Sequence, residues 1–513
     1  MAKPSSDVVV IGAGPAGLTA AYQLAKNGLS VCVLEKDPRY VGGLSRTVEY
    51  RGFYFDIGGH RFFSKSRQIE DLWTELLPDD MLVRQRSSRI YYKGRFFSYP
   101  LKLGEALQKL GPLEASACML SYARARLTPA KDSKNFEEWV SHRFGARLYQ
   151  TFFKTYTEKV WGMPCTDISA DWAAQRIKGL SLGSAVVNAF RTARASGDRS
   201  GIKTLATSFR YPRRGPGMMW TACAERVRGL GGSVQLGRRV VACSHDEKKG
   251  LWTVAHDDAL GDRQVERTRH VISSAPLRQL AAALSPALPR RTREAATELK
   301  YRDFLTVALV LKNQEAFDDQ WIYVHDPTVR VARIQNFKAW SPEMVPDPAL
   351  SCYGLEYFCF AGDGLWNSSD EELLALARHE LEATGLAAAG DVVDGCVVRQ
   401  PKAYPVYDDG YAERVAQIRA DIEMRFPTMH LVGRNGMHRY NNQDHAMMTA
   451  LLTAANILAG QRVFDTWRVN EDAEYLESSA DADSGASGLR LVPTRIAPAS
   501  AERFSAPPPS RPQ

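Results

Sequence analysis

The chain opens on an apolar run, Val8-Val9-Val10-Ile11, whose β-branched residues predict a buried parallel strand. A second such run, Val31-Cys32-Val33-Leu34, follows a stretch with helical spacing from Leu18 to Lys26. Ser87 to Pro100 reads as a hairpin turning at Lys93-Gly94. From Leu101 to about Ala206 the spacing is helical, as in Phe136 to Val140 and Leu148 to Phe153. Within it the helix through Tyr156 and Trp161 stops at Gly162-Met163-Pro164, and Ala170 to Arg176 begins the next. Phe209 to Trp220 predicts a glycine-rich loop leading into a helix from Thr221 to Leu230. Gly232 to Leu236, Arg239 to Ala242 and Arg269 to Ala275 predict strands. Runs such as Leu305 to Leu311 and Gly354 to Phe360 predict a mixed sheet over 300–405. His430-Leu431-Val432 is a last strand before a glycine turn at Gly433 to Gly436, and Asn441 to His445 caps a helix running through Leu458.

This order predicts an α/β protein. A Rossmann-type nucleotide domain is built from 1–98, 207–299 and 406–470, with a helical insertion at 99–206 and a mixed-sheet substrate domain at 300–405. From Ser478 the composition shifts to Ala, Ser, Asp and Pro, too poor in apolar surface to offset the cost of ordering. The expectation for 478–513 is a disordered tail.

The turn after the first strand, Gly12-Ala13-Gly14-Pro15-Ala16-Gly17, gives each glycine a task. Gly12 makes the tight turn, Gly14 admits a pyrophosphate close to the backbone, and Gly17 lets helix and strand touch. The helix start at Ala16 offers N–H groups and partial positive charge to the phosphates. Glu35, closing the second strand before Lys36, is placed to accept from a ribose hydroxyl and disfavours a 2′-phosphate. These features together predict dinucleotide binding; a glycine-rich turn without a ligand would need only one of them. Gly42-Gly43-Leu44-Ser45 resembles the second glycine motif of FAD proteins in the amine oxidase and glutathione reductase superfamily, which implies FAD. In Gly58-Gly59-His60, two glycines beside an imidazole suit a loop lying flat on a planar ligand. On the residues alone, a Gly-Gly turn carrying a surface histidine is the simpler reading.

Composition narrows the class. With 513 residues, two or three domains are expected, and a net charge of +8 without a basic run excludes a nucleic-acid footprint. Eight cysteines without a C-x-x-C pair read as reduced thiols in a cytoplasmic protein, with no metal site. No leader is expected, because the first apolar run is the nucleotide strand itself, and no apolar run is long enough to span a membrane.

The later motifs carry a resemblance. Asp56 to His60, Tyr99-Pro100, Lys159 to Pro164, Phe209 to Pro212 with its glycine loop, Gly433 to Gly436, Arg439-Tyr440 and Asn442 to His445 resemble the flavin-dependent UDP-galactopyranose mutases, the eukaryotic type in particular, up to about residue 460. The resemblance implies that reduced FAD, with NADPH or NADH as reductant, attacks the anomeric carbon of a nucleotide-diphosphate sugar through N5, interconverting pyranose and furanose rings. It places Arg176 and Arg333 on the substrate diphosphate, with Tyr323, Tyr404 and Tyr440 hydrogen-bonded to it. Tyr99, Phe152 and Trp161 would line the base pocket. Gly58, Gly59 and His60 would touch the flavin, and Gly12, Gly14, Ala16, Gly17, Glu35, Lys36, Gly43, Leu44, Ser45, Gly433, Arg434, Asn442, Gln443 and Asp444 would hold the rest of FAD. Arg333 read in isolation, within a strand, would be a surface salt bridge. Two positions depart from the family: Lys102 stands where a Gln reads the uracil edge, and Thr157 where an Asn does. A nucleotide or sugar other than UDP-galactopyranose is expected on that ground. Two other readings share the glycine motifs: an FAD oxidase or desaturase resembling protoporphyrinogen oxidase or carotenoid desaturases, and a non-catalytic binder related to GDP-dissociation inhibitors. The arginine–tyrosine set argues against the first and the intact nucleotide motif against the second.

Overall fold

The computed structural model describes residues 4–99, 101, 103–127, 133–170, 208–312 and 317–470. The expectations for Lys102, Arg176 and the 478–513 tail lie outside these residues.

The two apolar runs at the start form adjacent strands, Val8–Ile11 and Val31–Leu34, with every residue buried. They lie in a five-stranded parallel sheet whose order is Met429–Leu431, His270–Ser273, Val8–Ile11, Val31–Leu34, Ser233–Gln235. Burial on both faces explains the unbroken apolar character. Val8 and Val10 face one core with the helix Pro15–Lys26, while Val9 and Ile11 face another. The helices Gly217–Gly229 and Gln443–Leu458 complete the first of these cores. A four-stranded sheet, Arg263–Thr268, Leu251–Asp257, Arg239–Asp246 and Leu284–Ser285, packs against the second.

A seven-stranded sheet runs Val392–Pro405, Tyr301–Lys312, Leu350–Cys359, Arg333–Asn336, Trp321–Val324, Ser88–Tyr92, Arg95–Ser98. It is mixed because Trp321–Val324 pairs in parallel with Ser88–Tyr92, whereas its other pairs are antiparallel. The hairpin at Lys93-Gly94 forms with both turn residues at positive φ, 48° and 71°. Its strands belong to this sheet and not to the five-stranded parallel one. The partner strand lies more than 200 residues away, and pairing over such a span leaves no local signal. Helices at Leu103–Leu110, Pro112–Leu127, Phe136–Phe144 and Thr155–Trp161 form the insertion, with a wide π-turn at Tyr149–Lys154. Such turns are frequent at functional sites.

Two local expectations are corrected. Ser208–Pro212 is a strand paired with Met81–Gln85 and not a loop. Its helix begins at Gly217, four residues before Thr221, because the positive-φ turn at Gly215 and then Pro216 start it. The glycine turn after Val432 closes into one helical turn, Gly433–Gly436. No helix among the described residues is long and apolar enough to cross a membrane.

Asp56, the last residue of Phe53–Asp56, ties these parts together two residues before Gly58-Gly59-His60. The Tyr211 hydroxyl donates to its Oδ2 at 2.6 Å, and its Oδ1 lies 3.3 Å from the Thr47 hydroxyl, which accepts from Gly217 N–H. Burial pushes the Asp56 carboxyl up to about 8, so it keeps its proton at neutral pH. Between the ordinary carboxyl range and about 8 the folded state therefore holds a proton that the unfolded state has lost. Stability falls as pH rises through that window. In Asp56→Asn this component of the slope should vanish, read as urea midpoints of the holoprotein at pH 5.5 and 8.5. An unchanged difference between the two midpoints would show that Asp56 is ionised.

Candidate active site

The nucleotide cradle is made by two glycine turns in contact. Gly12 has φ +98° and a Cβ there would strike the Ser274 side chain; a Cβ at Gly17 would strike the Gly12 carbonyl and Val10. Gly14 and Gly43 face each other so closely that a Cβ on Gly43 would sit 3.3 Å from the Gly14 Cα. Gly42 N–H donates to Ala13 O at 2.8 Å, fixing the approach. Gly14 offers no capping side chain to the helix Pro15–Lys26, so the N–H groups at Ala16 and Gly17 are left to a ligand's phosphate oxygens. Glu35 is buried, and its carboxylate accepts from Ala13 N–H at 2.6 Å and Asp37 N–H at 2.9 Å. Held this way, it keeps lone pairs for a ribose. Lys36 is exposed, Leu44 packs toward the helical insertion, and Ser45 is buried. Gly433, at φ +76°, sits on Ala16, where a Cβ would lie 2.9 Å from the alanine methyl. These surfaces fit a flavin dinucleotide.

At the other end, Gly58 turns at φ +88° and its carbonyl lies 2.8 Å from His60 Nδ1. A Cβ on Gly58 would lie 3.8 Å from Arg333 Nη2, so the loop rests on that arginine. Burial, with the charges of Arg434 and Arg333, pushes the His60 pKa down to about 3. The imidazole is half-buried in the loop and neutral at physiological pH. Gly59 backs onto Gln335 and Trp340. Gln443, at the start of the last helix, donates to Arg61 O at 3.1 Å, bringing that helix end to the same loop; Asn442 caps it and Asp444 is buried beside it.

Arg333 is no surface salt bridge. It lies opposite Glu356 on the neighbouring strand and opposite Tyr323 on the other. Its Nε donates to Glu356 Oε2 at 2.8 Å, and Glu356 is fully buried and also accepts from Gln335. Burial opposes the guanidinium charge and Glu356 outweighs it, leaving the Arg333 pKa well above its ordinary value. Arg434, expected among the FAD residues, stands over Tyr404 at 5.1 Å and Tyr440 at 4.8 Å, and these two rings stack at 5.4 Å. Burial and Tyr440 push the Tyr404 phenol up to about 12, so it stays a donor.

Tyr99, 36% exposed, packs on Tyr323 at 4.7 Å. Phe152 and Trp161 are buried: Phe152 meets Phe97 edge-on at 5.3 Å, and Trp161 stacks on Tyr407. Thr157 is buried on the same helix as Trp161.

Sequence reasoning missed Tyr156, which stacks on His325 at 4.7 Å and meets Tyr323 edge-on. Burial raises its phenol well above the ordinary value, with Arg333 acting in the opposite sense. It also missed Glu356. A charge inside the apolar run Gly354 to Phe360 was the available signal, because a buried carboxylate requires a partner.

A glycine cradle for a dinucleotide, joined through the His60 loop to a cluster of arginines and tyrosines, defines a flavoprotein. The family model for flavin containing amine oxidoreductases matches residues 15–458; the chain belongs to that family, and its cofactor is FAD. It is 26% identical over 174 residues to a probable UDP-galactopyranose mutase of Klebsiella pneumoniae, and 28% identical over 173 residues to dTDP-fucopyranose mutase of Escherichia coli. Each match covers 32% of this chain and 44% of the relative, less than half of either mutase. Coproporphyrinogen III oxidase of Mycobacterium tuberculosis is 26% identical over 445 residues, 83% of this chain and 91% of the relative. A crystal structure of reduced UDP-galactopyranose mutase has the same fold, with TM-score 0.76 and 23% identity over 91% of this chain and 99% of that one.

The purified protein should be yellow. Gly43→Val, which needs a side chain at φ +55° against Gly14, should lower FAD affinity at least about tenfold. Flavin absorbance after dialysis and fluorescence titration would measure it, and unchanged flavin content would show that the cradle lies elsewhere.

Proposed function

We propose that this chain is a flavin-dependent mutase that interconverts ring forms of a nucleotide-diphosphate sugar. One observation carries the reading: Arg333 is fixed on a buried carboxylate, with the phenol-bearing residues Tyr323, Tyr404 and Tyr156 gathered around it from separate elements. Tyr440 stacks behind Tyr404. A planar guanidinium matches phosphate oxygens in a fork, and phenols complete the shell without adding charge. Bound and reduced, with NADPH or NADH as electron source, FAD supplies a nucleophile for the anomeric carbon. Arg333 and the tyrosines stabilise the departing diphosphate, charge that develops only as the glycosidic bond breaks. Arg176 is the proposed second clamp arginine. His60, neutral and with its Nδ1–H donating to the Gly58 carbonyl, can accept a hydrogen bond at Nε2 without adding charge beside the flavin. The helix beginning at Gln443 turns its N-terminus toward the same loop, where partial positive charge favours an anionic cofactor ring.

The nucleotide is proposed to differ from UDP. Thr157 offers one hydroxyl in place of a paired amide readout, and a dTDP-sugar mutase stands among the relatives. A second reading, oxidation of a porphyrinogen, is favoured by the coproporphyrinogen oxidase match over 83% of the chain. The compartment is proposed to be the cytoplasm.

Reduced holoprotein incubated with UDP- and dTDP-sugars should form furanose isomers without consuming reductant. Arg333→Ala should lower kcat/KM by on the order of 10²–10³, about 3–4 kcal/mol. Oxygen uptake in step with coproporphyrinogen loss, insensitive to Arg333→Ala, would favour the oxidase. In competition titrations of the reduced protein, UDP binding about tenfold tighter than dTDP, GDP and CDP, or 1.4 kcal/mol, would leave only the sugar open.

A further inference from the structure

Two cations, the half-buried Lys159 and the buried Arg302, join the helix Thr155–Trp161 to the seven-stranded sheet from opposite directions. Lys159 Nζ donates to the carbonyls of Val324 at 3.2 Å, Asp326 at 2.6 Å and Val331 at 3.1 Å. An ammonium group has three protons, so these acceptors satisfy it completely. The acceptors are not scattered. Val324 follows Tyr323 directly, Val331 lies two residues before Arg333, and Asp326 lies in the loop between the two strands. Lys159 therefore grips both arms of the hairpin that carries one tyrosine and the arginine of the clamp.

Arg302 answers from the sheet. It donates to Val160 O at 3.0 Å, Lys159 O at 3.3 Å and Phe358 O at 2.9 Å. The first two are carbonyls of the helix's last turn, where the partial negative charge of the helix end favours a cation. Gly162, at φ +66°, ends the helix, and any side chain there would run into the Arg302 guanidinium. The Lys-Val-Trp-Gly stretch thus has a reading that its residues alone do not give. Its lysine and glycine serve the latch, and its tryptophan belongs to the wall that the latch positions.

The wall consists of Tyr156 and Trp161 on the latched helix, with Thr157 between them in sequence. Tyr156 lies 5.5 Å from Tyr323 and 4.7 Å from His325, ring centre to ring centre. We infer that Lys159 is a positioning residue that fixes this aromatic wall at a set distance from the Tyr323–Arg333 clamp, so that the cleft selects a ligand bearing a base and a diphosphate together. The inference rests on the clamp being a diphosphate site, as proposed above. Burial holds the Lys159 ammonium down at about 8, so it is charged at neutral pH.

Inorganic pyrophosphate can engage the clamp alone, whereas a nucleoside diphosphate engages clamp and wall. Titration of the reduced holoprotein with pyrophosphate, UDP and dTDP separates the two. The wild type should bind its preferred nucleoside diphosphate at least about a hundredfold tighter than pyrophosphate. Lys159→Met should bring that ratio below about tenfold while pyrophosphate affinity changes less than about threefold, and Lys159→Arg should restore most of it. Gly162→Ala, which displaces Arg302 and leaves Lys159 intact, should lower the ratio in the same direction and serves if the methionine variant loses its flavin. An unchanged ratio in both variants overturns the proposal. So does a parallel fall in pyrophosphate affinity, which would mark general loosening of the fold. A wild type that binds pyrophosphate and nucleotides equally overturns it too, while one that binds neither removes the diphosphate reading on which it stands.

Discussion

The pairing of Arg333 with the buried Glu356 is the constraint around which the neighbouring strands and loops are arranged. Glu356 has no exposure at all, and a carboxylate in that position must be matched by a cation with good geometry. Removing one partner of such a pair costs about 3–5 kcal/mol, because the other charge is left unpaired. The guanidinium consequently cannot wander, and Gln335 holds the second carboxylate oxygen. Tyr323 is set by register beside Arg333, and Gly58 is kept free of a side chain beneath it. The His60 loop, which connects this cluster to the nucleotide cradle, takes its neutral state partly from the same arginine.

Around that pair the molecule uses backbone carbonyls to hold cations. Lys159 and Arg302 are satisfied this way, and Arg434 donates to Asn441 O at 2.9 Å and Ala403 O at 3.1 Å. A carbonyl stabilises a cation through its dipole and cancels none of its charge. Mutases and porphyrinogen oxidases are both similar to this chain, so the shared architecture leaves the reaction open and the cluster's charge and aromatic rings carry the functional argument.

The nucleotide cradle could be read from the chain because its determinants are local. Gly12, Gly14 and Gly17 act within one strand–turn–helix unit, and apolar runs buried on both faces betray a parallel sheet without reference to distant residues. The hairpin at Lys93-Gly94 was legible for the same reason. The sheet it joins was not, since its partner strand Trp321–Val324 lies over 200 residues away. The strand Ser208–Pro212 was hidden behind its glycines and prolines, and only pairing with Met81–Gln85 gives it extended form.

The site divides along the same line. Sequence by itself determined the dinucleotide fold, because glycine conformation and apolar periodicity are properties of neighbours along the chain. Tertiary structure alone decided that His60 is neutral, that Arg333 is paired with buried Glu356, and that Tyr156 packs on Tyr323 and His325. It also decided that Lys159 serves the carbonyls of Val324, Asp326 and Val331, far along the chain. Burial and charge proximity set these states, and both depend on which strands and helices meet in space.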